Sequence, residues 1–137
     1  LTGSLDAVLR VHAPSGPRYL LLAYKTNRVA PTGEPLTVQH YRPPAMAAAM
    51  CASHYPLQLL LYLVALHRFL RWRQPGYDPE LHLGGGLYLF VRGMCGPETP
   101  TAADGTPFGV FGWRPPTAVV VELSALLDGA SVSGGSR

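Results

Sequence analysis

One apolar run organises this sequence: Arg18-Tyr19-Leu20-Leu21-Leu22-Ala23-Tyr24-Lys25. Its aliphatic and aromatic composition predicts a β-strand. The stretch before it, Leu5 to His12, alternates loosely between apolar and polar residues and predicts another strand. A short connection rich in turn-forming residues, Ala13-Pro14-Ser15-Gly16-Pro17, joins the two. We therefore expect an antiparallel hairpin.

The rest of the sequence adds helices and two further strands. Its predicted elements are a helix over Ala45 to Met50, a longer helix over Pro56 to Trp72, a central strand over Leu87 to Val91 that Gly84-Gly85-Gly86 leads into, a short strand over Phe108 to Trp113 and a final helix over Val119 to Leu127. Residues 29–44 and 93–107 are rich in Pro, Gly or Thr and are predicted surface loops. This order predicts an α/β layer fold.

Length and composition fit one domain. The chain has 137 residues, of which 47% are hydrophobic, enough for one core and not for two. We place the domain at residues 1–128 and a flexible tail at residues 129–137, and the absence of an initiator Met indicates a piece of a longer polypeptide. No secretory signal is recognisable, and the most apolar run, Leu59 to Leu66, falls well short of the ~20 residues that span a bilayer.

Cysteines and charge give weaker indications. Cys51 and Cys95 have no zinc-ligand spacing, which predicts two free thiols in a reducing, cytoplasmic compartment. The net charge of +3 is compatible with a polyanionic partner, but proteins that bind no nucleic acid often carry as much. Charge alone therefore does not identify a DNA-binding protein.

Two residues that could take part in a reaction lie at the ends of the two hairpin strands. Antiparallel pairing would bring Asp6 to the segment 23–25, which ends in Lys25. A carboxylate can bind a divalent cation, and a lysine can orient water or stabilise charge on phosphorus. The sequence thus contains a candidate metal-and-lysine site for phosphodiester hydrolysis. The alternative is that Asp6 is a strand-end acid paired with a nearby arginine and that Lys25 merely extends from a strand terminus. This arrangement is at least as common.

The same residues carry a resemblance to a known family. Gly3-Ser4-Leu5-Asp6 and Tyr19-Leu20-Leu21-Leu22-Ala23-Tyr24-Lys25-Thr26-Asn27 resemble the G-h-h-D and h-h-(D/E)-x-K motifs of the PD-(D/E)XK nuclease superfamily, and in particular its RecB-type exonucleases. Further similar stretches extend the resemblance from Leu1 to about Leu127: Ala45 to Met50, Tyr55 to Gln58, Ala65 to Arg68 and Leu87 to Gly93. The resemblance implies a restriction-endonuclease-like mixed sheet flanked by helices, and a Mg²⁺-dependent DNA nuclease.

The resemblance also implies residue roles. Asp6, the residue at position 23 and the backbone carbonyl of Tyr24 would bind Mg²⁺, and Lys25 would serve the attacking water or the transition state. The family's QxxxY pair, which borders the active site and the DNA, corresponds to Gln58 and Tyr62. These two are four residues apart and therefore share a helix face. Without the resemblance, Tyr62 would be interpreted as a core aromatic residue and Gln58 as a half-exposed one.

The chain departs from the family pattern at Ala23, where family members have Asp or Glu. A methyl group cannot coordinate a metal, so we expect this copy to be inactive. A natural loss of activity and a deliberate substitution both remain open, and the retention of Asp6, Lys25, Gln58 and Tyr62 favours the second. A further metal-binding His of the family lies upstream of the first motif, before Leu1.

The implied partners are DNA, the remainder of the RecB-type helicase chain and RecC- and RecD-like subunits, with an AddAB-type assembly left open. A rival interpretation is a non-catalytic DNA-binding or protein-docking module, which Ala23 favours.

Other noticeable residues have plain interpretations: His54 helps to cap the long helix, and Gly84-Gly85-Gly86 lacks the context of a phosphate-binding loop. The cations near the end of that helix are expected on a solvated face, with phosphate contact as the lesser alternative: His67, Arg68, Arg71 and Arg73.

Overall fold

A four-stranded mixed sheet forms the centre of the protein, which a computed structural model describes over residues 4–129. The strands, in their spatial order, are β1 (Ala7–Ala13), β2 (Gly16–Lys25), β3 (Leu83–Phe90) and β4 (Val110–Trp113). β2 pairs antiparallel with β1 and parallel with β3, and β4 pairs antiparallel with β3. With its helices this sheet confirms the predicted α/β, restriction-endonuclease-like class. Most of the predicted flexible tail lies outside the described residues.

Within residues 4–129, four α-helices accompany the sheet: α1 (Pro43–Cys51), α2 (Tyr55–Arg73), α3 (Pro79–His82) and α4 (Thr117–Leu127). α1, α2 and α3 each have a proline in the first turn, where its fixed φ suits the helix and its missing N–H costs nothing. α1, α2 and α4 confirm predicted helices, whereas α3 was not predicted. Among the helices of residues 4–129, none alone is long and apolar enough to cross a membrane, and α1 and α2 meet that test only as a pair bent by 83°.

The core lies between one face of the sheet and α2. Leu21 of β2 and Tyr88 of β3 are buried there with Leu59 and Leu63 of the helix. A Cβ atom at Gly86 would overlap the Leu59 side chain, so glycine lets the helix lie this close to β3 without moving that side chain. This contact fixes the position of α2 on the strands that carry the site.

Two sequence-based expectations were wrong in detail. The glycine run does not precede the third strand but lies inside it, because Gly86 faces Leu59 and an added Cβ at Gly84 would meet Leu20 and the Tyr19 carbonyl. The predicted surface loop 29–44 ends in a 3₁₀ turn, Val38–Tyr41, followed by the start of α1. Tyr41 is fully buried, and its hydroxyl donates a hydrogen bond to the Asn27 carbonyl at 2.9 Å.

Candidate functional site

Asp6 lies at the open end of the hairpin, beside β2. The register pairs Ala7 with Leu22, and continuing it by one residue places Asp6 opposite Ala23. The Tyr24 backbone N–H donates a hydrogen bond to the Asp6 carboxylate at 2.8 Å. The expected juxtaposition of Asp6 with the segment 23–25 is therefore confirmed, because the strands pair as the turn between them predicted.

Position 23 faces the core side of the sheet. Side chains alternate along a strand, so Leu21, Ala23 and Lys25 share one face, and Leu21 is buried in the core. Ala23 is half-buried, and its register partner on β3 is Tyr88. A side chain at position 23 and the Lys25 side chain therefore emerge on the same side of β2.

Lys25 is the only lysine in the sequence, and its ammonium rests against aromatic rings. Its Nζ lies 3.9 Å from the Tyr55 ring centroid and 5.2 Å from the Tyr88 ring centroid. Among residues 4–129 it forms no ion pair. Cation–π attraction to two rings is thus the visible electrostatic support of this half-buried cation.

The two rings are themselves fixed. Tyr55 and Tyr88 stack with centroids 5.8 Å apart, and the Tyr88 hydroxyl donates a hydrogen bond to the Tyr55 carbonyl at 3.0 Å. Asn27 donates from Nδ2 to the Tyr55 hydroxyl at 2.9 Å. Burial, and after it the neighbouring Tyr62 and Tyr55 phenols, raises the pKa of Tyr88 to about 12, so its hydroxyl remains a donor.

Sequence reasoning assigned no role to Tyr55 or Tyr88. The spacing offered one signal for Tyr55: it lies three residues before Gln58, hence near the same helix face. The approach of Lys25 to either ring is a tertiary contact between β2, α2 and β3. No pattern within a single element predicts such a contact.

Gln58 and Tyr62 border an open groove next to Asp6. The Gln58 amide donates to the Tyr62 hydroxyl at a long 3.4 Å, which confirms that they share a helix face. Both are half-buried, and both line a groove of about 690 Å³ together with Leu5, the neighbour of Asp6. Tyr62 is therefore not sealed in the core. The DNA-contacting role of the pair stays a prediction.

His54 occupies the position before the first turn of α2, but its side chain makes no capping hydrogen bond. The expected capping position is therefore confirmed, but the side chain takes no part in it. The helix begins instead with Pro56 in its first turn and with the Gln58 N–H donating to the His54 carbonyl at 3.0 Å. The exposed His54 ring borders the groove.

The far end of α2 is only partly a solvated face, so that expectation needs correction. His67 is buried at 3% exposure and hydrogen-bonds through Nδ1 to the Tyr77 hydroxyl at 2.8 Å. Burial, then the cations Arg71 and Arg68, lowers the pKa of His67. Arg68 binds the end of α4, donating to the Ser124 hydroxyl and carbonyl at 3.0 and 2.8 Å and to Asp128 at 2.7 Å. Arg71 and Arg73 are exposed, as expected.

The side chains present do not complete a metal site. Within the described part of the chain, no three His, Cys, Asp or Glu side chains converge on a point where they could hold a metal ion. Asp6 offers one carboxylate, while Ala23 offers a methyl group where a second oxygen ligand would be needed. The described residues of this chain therefore do not fit a bound catalytic metal ion.

Comparison with known proteins identifies relatives along almost the whole chain. The RecBCD enzyme subunit RecB of Mycolicibacterium smegmatis is 56% identical over 128 residues, which are 93% of this chain and 11% of that protein. The RecB subunit of Mycobacterium tuberculosis is 57% identical over the same shares. The RecB subunit of Escherichia coli is 38% identical over 132 residues, 96% of this chain and 10% of that protein.

No protein-family model matches the chain. The chain spans about a tenth of the length of the curated relatives it matches. Identity at this level across more than nine-tenths of the chain, together with the α/β sheet, places the chain in the RecB family as a segment homologous to part of these subunits.

Proposed function

We propose that this chain is the nuclease domain of a RecB-type helicase-nuclease, which cleaves DNA during double-strand break repair and recombination. The observation that carries the proposal is the juxtaposition of Asp6 with the segment 23–25, which ends in Lys25, at one end of the hairpin. Relatives named as RecBCD enzyme subunits support the assignment to a recombination complex.

The three positions differ in what they would contribute. Asp6, an acid at position 23 and the Tyr24 carbonyl would hold Mg²⁺, which supplies Lewis-acid stabilisation of a phosphoryl oxygen when bound. Lys25 brings a positive charge to the place where negative charge develops on phosphorus. In the present chain Ala23 leaves the ligand set incomplete, so the domain as given is inactive.

The groove beside the site suits a strand of DNA. Its walls are mainly apolar, with Leu57 and Leu61 on α2, and its polar rim includes the Gln58 amide and the Tyr62 phenol. Apolar and aromatic surfaces accommodate base faces of any sequence, and the polar groups can fix the strand. The strand would be delivered by the rest of the RecB-type chain, assembled in the cytoplasm with RecC- and RecD-like subunits.

Restoring an acid at position 23 tests this proposal. In the complete polypeptide with its subunits, we expect Ala23→Asp to raise Mg²⁺-dependent DNA cleavage at least ~100-fold, because metal-centred charge stabilisation contributes several kcal/mol and each 1.36 kcal/mol is tenfold in rate. Ala103→Asp, at an exposed position, adds the same charge elsewhere and serves as the matched control. Equal cleavage rates for the Ala23 and Ala23→Asp proteins would contradict the site.

DNA binding without metal separates the chemistry from the fold. Ala23 removes a negative charge from beside the phosphate path, so its metal-free DNA affinity should equal or slightly exceed that of Ala23→Asp. A fluorescence titration at fixed salt measures this. Much weaker binding by the Ala23 protein would mean that position 23 maintains the structure, and the metal-ligand account would be abandoned.

A second function is a non-catalytic DNA-binding or docking module. It is favoured by Ala23 and by the incomplete ligand set of the described residues. The residue encoded at position 23 in the natural gene discriminates between the two functions. An acid there supports the nuclease, and Ala supports the docking module.

A further inference from the structure

Two aromatic rings lie near the Lys25 ammonium, and the Tyr55 ring is the nearer. The separations are 3.9 Å to the Tyr55 centroid and 5.2 Å to the Tyr88 centroid. No carboxylate in residues 4–129 pairs with it. What holds this lysine is therefore an aromatic surface and not a counter-charge.

We propose that Tyr55 is the positioning residue of Lys25: its ring holds the ammonium over the site end of β2, on the side where Asp6 and position 23 lie. This inference rests on the proposed nuclease function. Tyr55 touches neither substrate nor metal in this account, and its effect on cleavage passes through Lys25.

A ring suits this task for an electrostatic reason. A lysine side chain has several flexible bonds, and immobilising it costs rotamer entropy. A carboxylate partner would hold the ammonium but would also neutralise it. The face of Tyr55 attracts the cation and carries no net charge, so the positive charge remains available to a phosphate.

Tyr55, and not Tyr88, is the residue whose position is tied to the lysine. Its hydroxyl accepts from Asn27, two residues beyond Lys25, so the end of β2 and the ring are fixed to each other. Tyr88 is 1% exposed in the core, lies beside Tyr55 and donates a hydrogen bond to the Tyr55 carbonyl. Changing Tyr88 would disturb the core, whereas Tyr55 is only half-buried.

The test is a double-mutant cycle in the complete polypeptide with its subunits, on the Ala23→Asp background. We expect Tyr55→Leu to lower the cleavage rate about 10-fold, the upper range of one cation–π contact, and Tyr55→Phe to stay within ~3-fold, because the ring is retained. Added to Lys25→Ala, Tyr55→Leu should cost less than ~2-fold more. Phe69→Leu, the same kind of truncation at an exposed position of α2, is the matched control and should not change the rate.

A second measurement requires no cleavage activity and uses the Ala23 protein itself. Labelling of Lys25 by an amine-reactive reagent, followed by mass spectrometry of its peptide, should speed up several-fold in Tyr55→Leu and not in Tyr55→Phe or Phe69→Leu. Unchanged labelling in Tyr55→Leu would overturn the proposal.

The remaining outcomes are also decisive. Equal losses from Tyr55→Leu with and without Lys25, including a loss caused by misfolding, would show a structural role and overturn the inference. If Lys25→Ala cleaves too slowly to follow, the kinetic constants of Tyr55→Leu decide. A fall in its kcat at constant KM supports positioning, and a fall in its kcat/KM caused by a higher KM overturns it. Absence of cleavage in the Ala23→Asp parent would instead refute the proposed function, and the labelling result would still judge the inference.

Discussion

The two ends of α2 carry polar and aromatic residues in similar density but use them differently. At the first turns, Tyr55 contacts Lys25, and Gln58 and Tyr62 line an open groove. At the last turns, His67 is sealed against Tyr77, and Arg68 is occupied by three hydrogen bonds to the end of α4. The groups at the first turns face an open groove, whereas at the last turns His67 and Arg68 are held by contacts within the fold, although Arg68 also lines that groove and Arg71 and Arg73 are exposed.

The comparison cautions against locating a DNA site by counting cations. Arg68, Arg71 and Arg73 cluster at the last turns, whereas Lys25 is alone at the first. Yet the single lysine lies two residues beyond position 23, which the register extended by one residue places opposite Asp6, and Arg68 is paired with Asp128. We infer that the chemistry belongs to the end of α2 with fewer cations.

The largest expected contrast concerns Lys25. On the Ala23→Asp background, Lys25→Ala should lower the DNA cleavage rate about 100-fold or more, as removal of one transition-state donor typically does. DNA affinity should fall far less, by under about 5-fold, because an ion pair with phosphate at a partly exposed site contributes about 1 kcal/mol at most. Single-turnover cleavage and a parallel binding titration separate the two effects.

Arg71→Ala supplies the matched control at the other end of the helix, since it removes an exposed cation from the same element. Its cleavage rate should stay within ~2-fold of the parent. A loss comparable to that of Lys25→Ala would break the distinction between the two ends.

Arg68→Ala should affect stability and not chemistry. It removes the hydrogen bonds to Ser124 and Asp128 that join α2 to α4. We expect the free energy of unfolding to fall by about 1–2 kcal/mol, a value reduced from that of a buried charged network because Arg68 and Asp128 are both substantially exposed. Denaturant unfolding measures the change, and Arg71→Ala is again the comparison. A cleavage defect in fully folded Arg68→Ala protein would place it in the DNA path.

The smallest effect is a pH dependence of stability from His67. Its pKa is lowered by burial and by Arg71 and Arg68, so the unfolded chain takes up the proton more readily than the folded one. Stability is therefore fully present above the unfolded pKa of 6.5 and declines as pH falls from there towards the lower folded pKa. Unfolding midpoints between pH 8 and pH 5 should show this decline, and His67→Gln should flatten it. An unchanged slope in His67→Gln would remove the histidine from this account.

The hairpin and the major helices could be predicted from the sequence because their signals are local. Turn residues set the pairing of Asp6 with segment 23–25, and four-residue spacing put Gln58 beside Tyr62. The positions of His67 and the glycine run could not be predicted, because each depends on a contact with a residue outside its own helix or strand. His67 is covered by Tyr77 from beyond the helix end, and Gly86 lies against the Leu59 side chain. The Lys25 contact with Tyr55 belongs to the same class.

The parallel pairing of β2 with β3 has a consequence for the order in which the domain acquires its parts. The β1–β2 hairpin closes through a short turn, and such hairpins form within microseconds. Two hydrogen bonds that fix the chain just after β2 come from residues much later in the sequence. The Tyr55 hydroxyl accepts from Asn27, 28 positions away, and Arg92 donates to the Thr26 carbonyl, 66 positions away. Closing these long loops costs more chain entropy and is slower, so a nascent chain that stops short of β3 can pair β1 with β2 but lacks the Tyr88 ring beside Lys25. Synthesis from the N-terminus therefore delays assembly of the complete site until the strand that closes it has emerged.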